Sequence, residues 1–296
     1  MENYYDPIEE QFNRIQASKS QDYQKKKNVE FNVKNYLNVR LAPGEKEKRI
    51  TVRIVGTEGQ ETPFTEVYMH YSPSLKKSYV CAKHTNGLSE KTEKTCPFCD
   101  IRDEAKEMQR KGNNEATWAK FKDMYKQNTA VLSYVVRVID RDDEDFGIKF
   151  WKFNQNTYEN IIDIYKNNKI DDINIFDPKE GKDIIITVKK KDNKNKITNI
   201  SAANKQTPLA KDEATIESLV NDEKVWTDVY GVKPYDYLDL LLNNKVPFFN
   251  KATNKWEEKK DIVSHEDEDN DSDDCCDNNE EYDGEHAEED SDDLPF

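Results

Sequence analysis

The chain has 296 residues, of which 45 are basic and 60 are acidic, and its formal net charge is −15. Hydrophobic residues make up 35% of the sequence, no run approaches the ~18 apolar residues of a membrane span, and Met1 to Glu10 lacks the basic and apolar regions of a signal peptide. These features argue against a membrane or secreted protein and predict a cytoplasmic one.

Composition divides the chain into three predicted regions. Residues 1–28 are polar, include the basic cluster Lys25 to Lys27, and are expected to form a flexible or partly helical N-terminal arm. Residues 29–260 are long enough for one large domain, and their modest aliphatic content favours a single elaborated domain over two full cores. Residues 261–296 are predicted to be a disordered acidic tail, because dense like charge repels itself and cannot bury a core.

Alternation of apolar and polar residues predicts β-strands through the middle of the chain. Phe31 to Leu41 and Ile50 to Val55 flank the turn residues Pro43-Gly44 and therefore predict a hairpin. Further strands are predicted at 64–71, 78–81, 129–139, 148–153, 183–190 and 197–202, and helices at 101–110 (with an extension towards residue 124), 157–167, 213–220 and 235–242. This order predicts an α+β chain, mainly a β OB-fold barrel with an inserted zinc-binding subdomain and peripheral helices, while another α+β sheet stays open.

One histidine and three cysteines form the strongest chemical signal in the sequence. The pair Cys-Pro-Phe-Cys at residues 96–99 can direct two thiolates at one tetrahedral centre, and Cys81 and His70 lie upstream of it. Three thiolates and one imidazole fill all four positions of a structural zinc site, whereas a catalytic zinc keeps one position open. The sequence therefore predicts one structural Zn²⁺ in a subdomain of about residues 64–127, with the ligands His70, Cys81, Cys96 and Cys99.

Alternatives to this ligand set stay open at the level of sequence. His84 lies three residues after Cys81 and can replace His70 in a tight loop, although His70 is favoured because it follows a predicted strand. Cys81 can instead be a small core residue beside a redox-active cysteine pair. A zinc deaminase is excluded, because its signature requires a proline before the cysteine pair, where Thr95 stands, and a glutamate two residues after the histidine. We therefore expect no enzymatic activity.

With these spacings in view, the chain resembles the single-stranded DNA-binding proteins of T-even phages, the gene 32 helix-destabilising family. The resemblance rests on the order of the histidine and the three cysteines, and it extends over roughly residues 28–210. The flanking segments that carry it are Arg49 to Val55, Lys76 to Cys81, Val135 to Asp140 and Gly147 to Phe153.

The resemblance implies an OB-fold with a zinc subdomain that binds single-stranded DNA without sequence preference. It further implies a role in DNA replication, recombination and repair, in the cytoplasm of a phage-infected host cell. The family's N-terminal arm carries a compact basic motif for cooperative self-association. Met1 to Glu10 has no such cluster, and Lys25 to Lys27 is a substitute at most, so self-association is left open.

Single-strand binding needs cations that follow the phosphates and aromatic rings on which bases stack. Basic and aromatic residues interleave on the first predicted hairpin, around the metal segment and along the strand at 148–153. Any one aromatic residue is more often part of a core, so the hypothesis depends on the pattern as a whole. The predicted DNA contacts are Lys34, Tyr36, Arg40, Arg53, Tyr68, Tyr71, Lys76, Lys77, Tyr79, Tyr134, Arg137, Lys149, Trp151 and Phe153.

The C-terminal tail holds the whole negative charge of the chain. Seventeen acidic residues lie between Glu266 and Phe296, and the remaining 43 acids are balanced by 45 bases. The tail ends in an apolar tip, which a solubilising tail does not require, and this tip resembles the C-terminus of bacterial single-stranded DNA-binding proteins that recruits genome-maintenance proteins. The predicted partner-binding residues are Asp292, Asp293, Leu294, Pro295 and Phe296.

The alternative function is a zinc-ribbon interaction module or transcription factor that contacts duplex DNA or a polymerase. A nuclease or other metalloenzyme is disfavoured, because the dense acidic patch of the barrel region, Asp140 to Asp145, is predicted to be a solvated turn between two strands. Binding to single-stranded DNA without base specificity distinguishes the first hypothesis from these two.

Overall fold

The computed structural model describes residues 35–56, 62–72, 77–112, 114–191 and 194–259. The predicted N-terminal arm, the predicted contacts Lys34 and Lys76, and the predicted partner-binding tip of the tail lie outside these residues. Within the described parts of the chain, no helix combines the length and the apolar character needed to cross a bilayer.

The described residues form an α+β structure with nine strands and five α-helices. The strands are β1 (Glu47–Val55), β2 (Thr65–Ser72), β3 (Lys77–Val80), β4 (Val131–Asp140), β5 (Ile148–Asn154), β6 (Lys182–Lys191), β7 (Lys194–Gln206), β8 (Pro247–Asn250) and β9 (Lys255–Glu258). The helices are α1 (Pro97–Lys111), α2 (Glu115–Gln127), α3 (Gln155–Lys169), α4 (Glu213–Val220) and α5 (Tyr235–Leu242). The predicted strands from residue 64 onwards and the predicted helices match these elements in type and approximate position.

Seven of these strands form one antiparallel sheet. Its order is β3-β2-β4-β1-β6-β7, and β5 pairs with β4 outside this path. On one edge of β4, residues 131–135 pair with β2 and residues 137–140 pair with β1, while β5 pairs with residues 133–139 on the other edge. The long strand β4 therefore joins the β2–β3 hairpin to the rest of the sheet. Strands β8 and β9 form a separate hairpin, which the sequence pattern had not indicated.

The predicted hairpin between Phe31 to Leu41 and Ile50 to Val55 is wrong for its described part. Strand β1 has β6 on one edge and β4 on the other, so neither edge pairs with the preceding segment. Residues 37–39 are not in a strand, and the backbone N–H of Leu37 donates instead to the carbonyl of Phe150 (3.0 Å). The alternating apolar residues of this segment pack against the edge of the core, which satisfies their hydrophobicity without a ladder.

The helical segment after the cysteine pair is two helices rather than one. Helix α1 ends at the C-cap Gly112, and the side chain of Asn114 begins α2 by accepting a hydrogen bond from the backbone N–H of Thr117 (2.8 Å). Asparagine at an N-cap satisfies one of the free N–H groups of the first turn, so the break follows from local side-chain chemistry. The helix does not run on from α1 to Met124 because of this cap.

Both faces of the central strands are buried. One face of β1, β4, β5 and β6 forms a continuous core that includes Val52, Val138, Trp151 and Ile184, which are at most 1% exposed. The opposite face is covered by the chain around α4, and Leu209, Ile216, Val229 and Tyr230 pack onto it. This explains why β4 is an almost unbroken apolar run instead of an alternating one. A third, smaller cluster surrounds the cysteines and includes Phe98 and Leu238.

Candidate metal centre and nucleic-acid interface

The fold brings together the four residues predicted to bind metal. His70 lies in β2, Cys81 directly follows β3, and Cys96 and Cys99 lie at the start of α1. All four side chains are buried, and their ligand atoms lie within 4.8 Å of one another. This group can hold one metal ion, as the sequence predicts. Most of the structure around it comes from the chain between β2 and β4, and we call this part the metal lobe.

The distances within the group fit a tetrahedral centre. Metal–sulfur bonds of about 2.3 Å and metal–nitrogen bonds of about 2.0–2.1 Å at tetrahedral angles give separations of about 3.8 Å between two sulfurs and about 3.6 Å between sulfur and nitrogen. In the structure, Sγ of Cys81 and Sγ of Cys99 are 3.5 Å apart. Nε2 of His70 lies 3.3 Å from Sγ of Cys96 and 3.5 Å from Sγ of Cys99. A modest expansion of the group is sufficient to admit an ion.

Local structure explains how each ligand is positioned. The β2–β3 pairing sets His70 opposite Tyr79, and the N–H of Cys81 continues the hairpin by donating to the carbonyl of Tyr68 (2.7 Å). Cys96 is the N-cap of α1, Pro97 follows it, and Cys99 lies in the first turn. Proline is suited to this position because its missing N–H is not needed there. The partial positive charge of the helix N-terminus lies beside both sulfurs and would help to stabilise them as thiolates bound to an ion.

The crowding of three thiols shifts their pKa values in opposite directions. Hydrogen bonds from Cys96 and Cys99 lower the pKa of Cys81 far below its usual range. The interaction with Cys81 raises the pKa of Cys96 to about 11, and interactions with Cys81 and then Cys96 raise the pKa of Cys99 as well. One thiolate is therefore favoured and two more are opposed, unless a cation neutralises them.

The alternative ligand His84 lies outside this group. Its Nε2 accepts a hydrogen bond from Arg102 (3.2 Å), and its ring lies 5.9 Å from that of Tyr68. His70 instead stacks on Phe98, with ring centroids 4.8 Å apart and planes 10° from parallel. The Nδ1 atom of His70 is buried and has no hydrogen-bond partner among the described residues. This arrangement favours Nε2 as the nitrogen that faces the sulfurs.

Arg53, a predicted DNA contact, is a buried structural residue with 1% exposure. Its guanidinium donates to Oδ1 of Asp183 (2.9 Å) and to the carbonyls of Gly181 (3.2 Å) and Thr207 (2.7 Å). Burial lowers the pKa of the guanidinium, and the nearby Asp183 opposes this shift. Arg53 therefore fastens β1 to the start of β6 and does not present its charge to a ligand.

Two further predicted cations are also committed to internal partners. Arg137 is 8% exposed and donates to the carbonyls of Leu219 (2.9 Å) and Val220 (3.1 Å), which end α4. Lys149 is 7% exposed, and its Nζ lies 2.9 Å from carboxylate oxygens of both Asp140 and Asp143. Burial lowers the pKa of Lys149, but the two carboxylates outweigh it and raise the pKa overall. The acidic turn between β4 and β5 is thus partly an internal partner for this lysine.

Three predicted stacking residues lie in the core instead of on the surface. Trp151 and Phe153 are each 1% exposed, with ring centroids 4.5 Å apart. Tyr134 is 5% exposed and stacks on Tyr158 at 4.0 Å. The alternation of basic and aromatic residues on β5 therefore reflects a core face, because Trp151 and Phe153 point into the apolar cluster. None of these rings is accessible to a base in this conformation.

The remaining described candidates are half-exposed and lie on two parts of the surface. Tyr36 packs edge-on against Tyr230 (5.2 Å) beside β5, and Tyr79 stacks on Phe98 (6.0 Å) beside the cysteines. Tyr71 and Lys77 lie on neighbouring strands, where Ser72 is paired with Lys77. The half-exposed set is Tyr36, Arg40, Tyr68, Tyr71, Lys77 and Tyr79.

A second basic surface was missed by the sequence reasoning. Arg49 of β1, Lys189 and Lys191 of β6, and Lys194 and Lys196 of β7 lie on one side of the sheet, and we call this set the lysine face. The signal was the run of three lysines at residues 189–191, followed by two more at alternate positions.

Comparison of the chain with protein-family models gives no match, and comparison with curated proteins gives none either.

Proposed function

We propose that this chain is a non-enzymatic single-stranded DNA-binding protein whose β-barrel carries a structural zinc lobe. One observation carries the proposal. The buried group of His70, Cys81, Cys96 and Cys99 lies in a segment inserted between β1 and β4, which are neighbouring strands of the antiparallel sheet. A structural metal lobe on such a sheet supports a binding protein, because all four metal positions are filled by side chains.

The strand order supports an OB-fold. The paired sequence β5-β4-β1-β6-β7, with α3 between β5 and β6, is the order expected of a five-stranded Greek-key barrel with a helix after its third strand. In this assignment the metal lobe replaces the loop between the first two barrel strands. OB-folds bind oligonucleotides on the face of their second and third strands and with the neighbouring loops. Both faces of the corresponding strands β4 and β5 are buried in this chain, so the site would be formed by the parts of the chain beside them. The metal lobe would therefore form one wall of the DNA site.

The donor set supports zinc as the metal. Three thiolates with one imidazole, all buried, suit Zn²⁺ better than Mg²⁺ or Ca²⁺, which prefer oxygen ligands. When bound, the ion supplies a crosslink between β2, the end of β3 and the start of α1. The protein itself positions the ligands, because Phe98 stacks on the imidazole of His70 and the start of α1 carries two of the sulfurs.

The half-exposed aromatic and basic residues support binding to single strands. Tyr71 and Lys77 on the β2–β3 hairpin, and Tyr36 beside β5, offer rings and a cation without being wholly buried. Each base stacked on an aromatic side chain contributes about 1–3 kcal/mol, so a few such contacts are sufficient for binding without reading the sequence. The buried candidates contribute to the shape of this surface through packing.

The acidic tail would recruit proteins of DNA replication, recombination and repair through its apolar tip. Residues 266–296 contain seventeen acidic side chains, so the tail would be a polyanion attached to the proposed DNA-binding domain. In the free protein it would compete with DNA for basic surfaces, and bound DNA would release it. The tip residues Leu294 to Phe296 would then be available to an apolar pocket with a basic rim.

Fluorescence anisotropy of labelled oligo-dT, a mixed-sequence single strand and a duplex of the same length tests this function. We expect similar affinities for the two single strands, much weaker binding to the duplex, and a salt slope of about −0.7 per neutralised phosphate. Tight binding to the duplex with base specificity would support the zinc-ribbon transcription factor instead. Absence of binding to every oligonucleotide at low salt would reject both functions.

A further inference from the structure

The lysine face has a charge pattern that a purely structural hairpin avoids. In the β6–β7 ladder, Lys189 is directly opposite Lys196, and Lys191 is directly opposite Lys194. Like charges in directly opposed positions destabilise a sheet. Two consecutive pairs of this kind indicate that the arrangement has a use other than holding the strands together.

The pleat of the sheet places these cations on one side. Ile50 and Val188 point into the core, so their neighbours Arg49 and Lys189 point to the opposite side. Alternate residues of a strand are about 6.6 Å apart, which produces an evenly spaced row. On this side, Nζ of Lys189 also lies 3.1 Å from Oε2 of Glu47. The five cations of the lysine face are therefore gathered on one side of the sheet, in a chain whose net charge is −15.

Exposure makes the lysine face accessible. Arg49, Lys189 and Lys191 are exposed, and Lys194 and Lys196 are partly exposed. The same end of the sheet also carries Lys190, whose backbone N–H donates to the carbonyl of Lys46 (3.2 Å), so β1 is held alongside β6 there. Three hydrogen-bonded strands keep the charges in a fixed row, whereas a loop of the same composition would not.

We propose that the lysine face is a phosphate-contact surface that extends the single-stranded DNA site along β1, β6 and β7. This inference rests on the proposed function and adds to it a second basic surface that lacks aromatic residues. It predicts that these side chains contribute to affinity through counterion release and not through stacking, because phosphate contacts carry no base information. Their contribution should be the same for every base composition.

Salt-dependent binding of oligo-dT to the full chain tests the proposal. The variant K191Q/K194Q/K196Q removes three charges and leaves the pair of Lys189 and Glu47 intact, and we expect the slope of log K against log salt to become shallower by about 2. The matched control K166Q/K169Q/K211Q removes the same charge from exposed positions on and after α3 and should keep the wild-type slope. The arginine variant K191R/K194R/K196R should keep it as well.

Each outcome decides the proposal. Single glutamine substitutions should each lower the slope by about 0.7, so a graded series replaces the triple variant if that variant fails to fold. Equal slopes for the glutamine variant, the control and the wild-type chain would overturn the proposal while leaving the proposed function intact. Tighter DNA binding by the glutamine variant would mean that the acidic residues 266–296 occupy the lysine face, which also overturns it. Absence of single-strand binding by the wild-type chain would reject the proposed function together with this inference.

Discussion

The imidazole of His70 lies almost parallel to the ring of Phe98, with centroids 4.8 Å apart, and this stack links β2 to the first turn of α1. Phe98 is 2% exposed and stands between two cysteines of the metal group. The aromatic ring therefore helps to set the orientation of the histidine ring. A metal in the group would crosslink elements that already touch through this pair.

Metal analysis should find one zinc per chain, lost together with thermal stability in C96S or C99S. Removing a thiolate leaves only three ligands and weakens metal binding. Because the free energy of binding a structural metal contributes to the free energy of folding, the protein should also become less stable. H70A should lose the metal, whereas H84A is the matched control and should keep it, because His84 is bonded to Arg102. Full metal content in H70A, or unchanged thermal stability in the presence of a strong chelator, would contradict this assignment.

Zinc binding by the metal-free chain should release about two protons per ion at neutral pH. Neighbouring thiols lower the pKa of Cys81, which favours its thiolate, whereas they raise the pKa of Cys96 to about 11 and also that of Cys99. Both of the latter must lose a proton when they bind the ion. A weakly buffered titration with a pH indicator measures the release, and a value near zero would show that the thiols do not bind as a group.

R53Q should destabilise the protein by about 3 kcal/mol or more, because it leaves Asp183 and several buried carbonyls with fewer donors. The salt slope of DNA binding by the folded fraction should not change, since the guanidinium has 1% exposure. R49Q changes an exposed arginine on the same strand and should have the opposite effects: unchanged stability and a shallower salt slope of DNA binding. Urea unfolding and salt titration of the two variants separate these effects, and a normal unfolding midpoint for R53Q would refute the structural role.

Y71A should weaken single-strand binding by about 1–3 kcal/mol if its ring stacks on a base, with little effect on stability. F153A should instead cost about 3–5 kcal/mol of folding free energy, because it removes a core ring with 1% exposure. DNA affinity and unfolding free energy should both be measured for the two variants at the same salt concentration. A Y71A chain with wild-type affinity would show that the β2–β3 hairpin does not contribute a stacking ring.

Removal of Leu294 to Phe296 should abolish capture of partner proteins and leave DNA affinity nearly unchanged, because no charged side chain is lost. Neutralising the acidic residues 266–293 with the tip retained should tighten DNA binding, mostly at low salt, where screening is weak. Anisotropy at two salt concentrations measures the difference between the two variants. Equal effects of the two changes on DNA affinity would exclude charge competition by the tail.

The sequence predicted the elements of the fold better than their arrangement. The strands from residue 64 to 206 and helices α3, α4 and α5 have local patterns that tertiary contacts did not override, so they were predicted at nearly their observed positions. The segment around Leu37 has the same alternation but lies against the core edge, while β1 pairs with β6 and β4 instead. Strand pairing depends on which edges are free, and one strand's sequence does not contain that information.

The metal group was predictable from the sequence, whereas the burial of several proposed DNA-contact residues was not, for a physical reason. Cysteine spacing restricts four side chains to one centre, and the structure assembles the predicted group. Basic and aromatic residues have two uses, and Arg53, Arg137 and Trp151 are used in the interior. An arginine that bonds several carbonyls cannot be distinguished by sequence from one that binds phosphate, because both need a cation beside apolar strands.

Thermal melting of a DNA duplex in the presence of the full chain tests the central claim most directly. A protein that binds single strands in preference to the duplex stabilises the melted state by mass action, so the melting temperature should fall as protein concentration rises. The fall should be larger at low salt and similar for duplexes of different sequence. A duplex melting temperature that rises with protein concentration would show preferential duplex binding and would contradict the account.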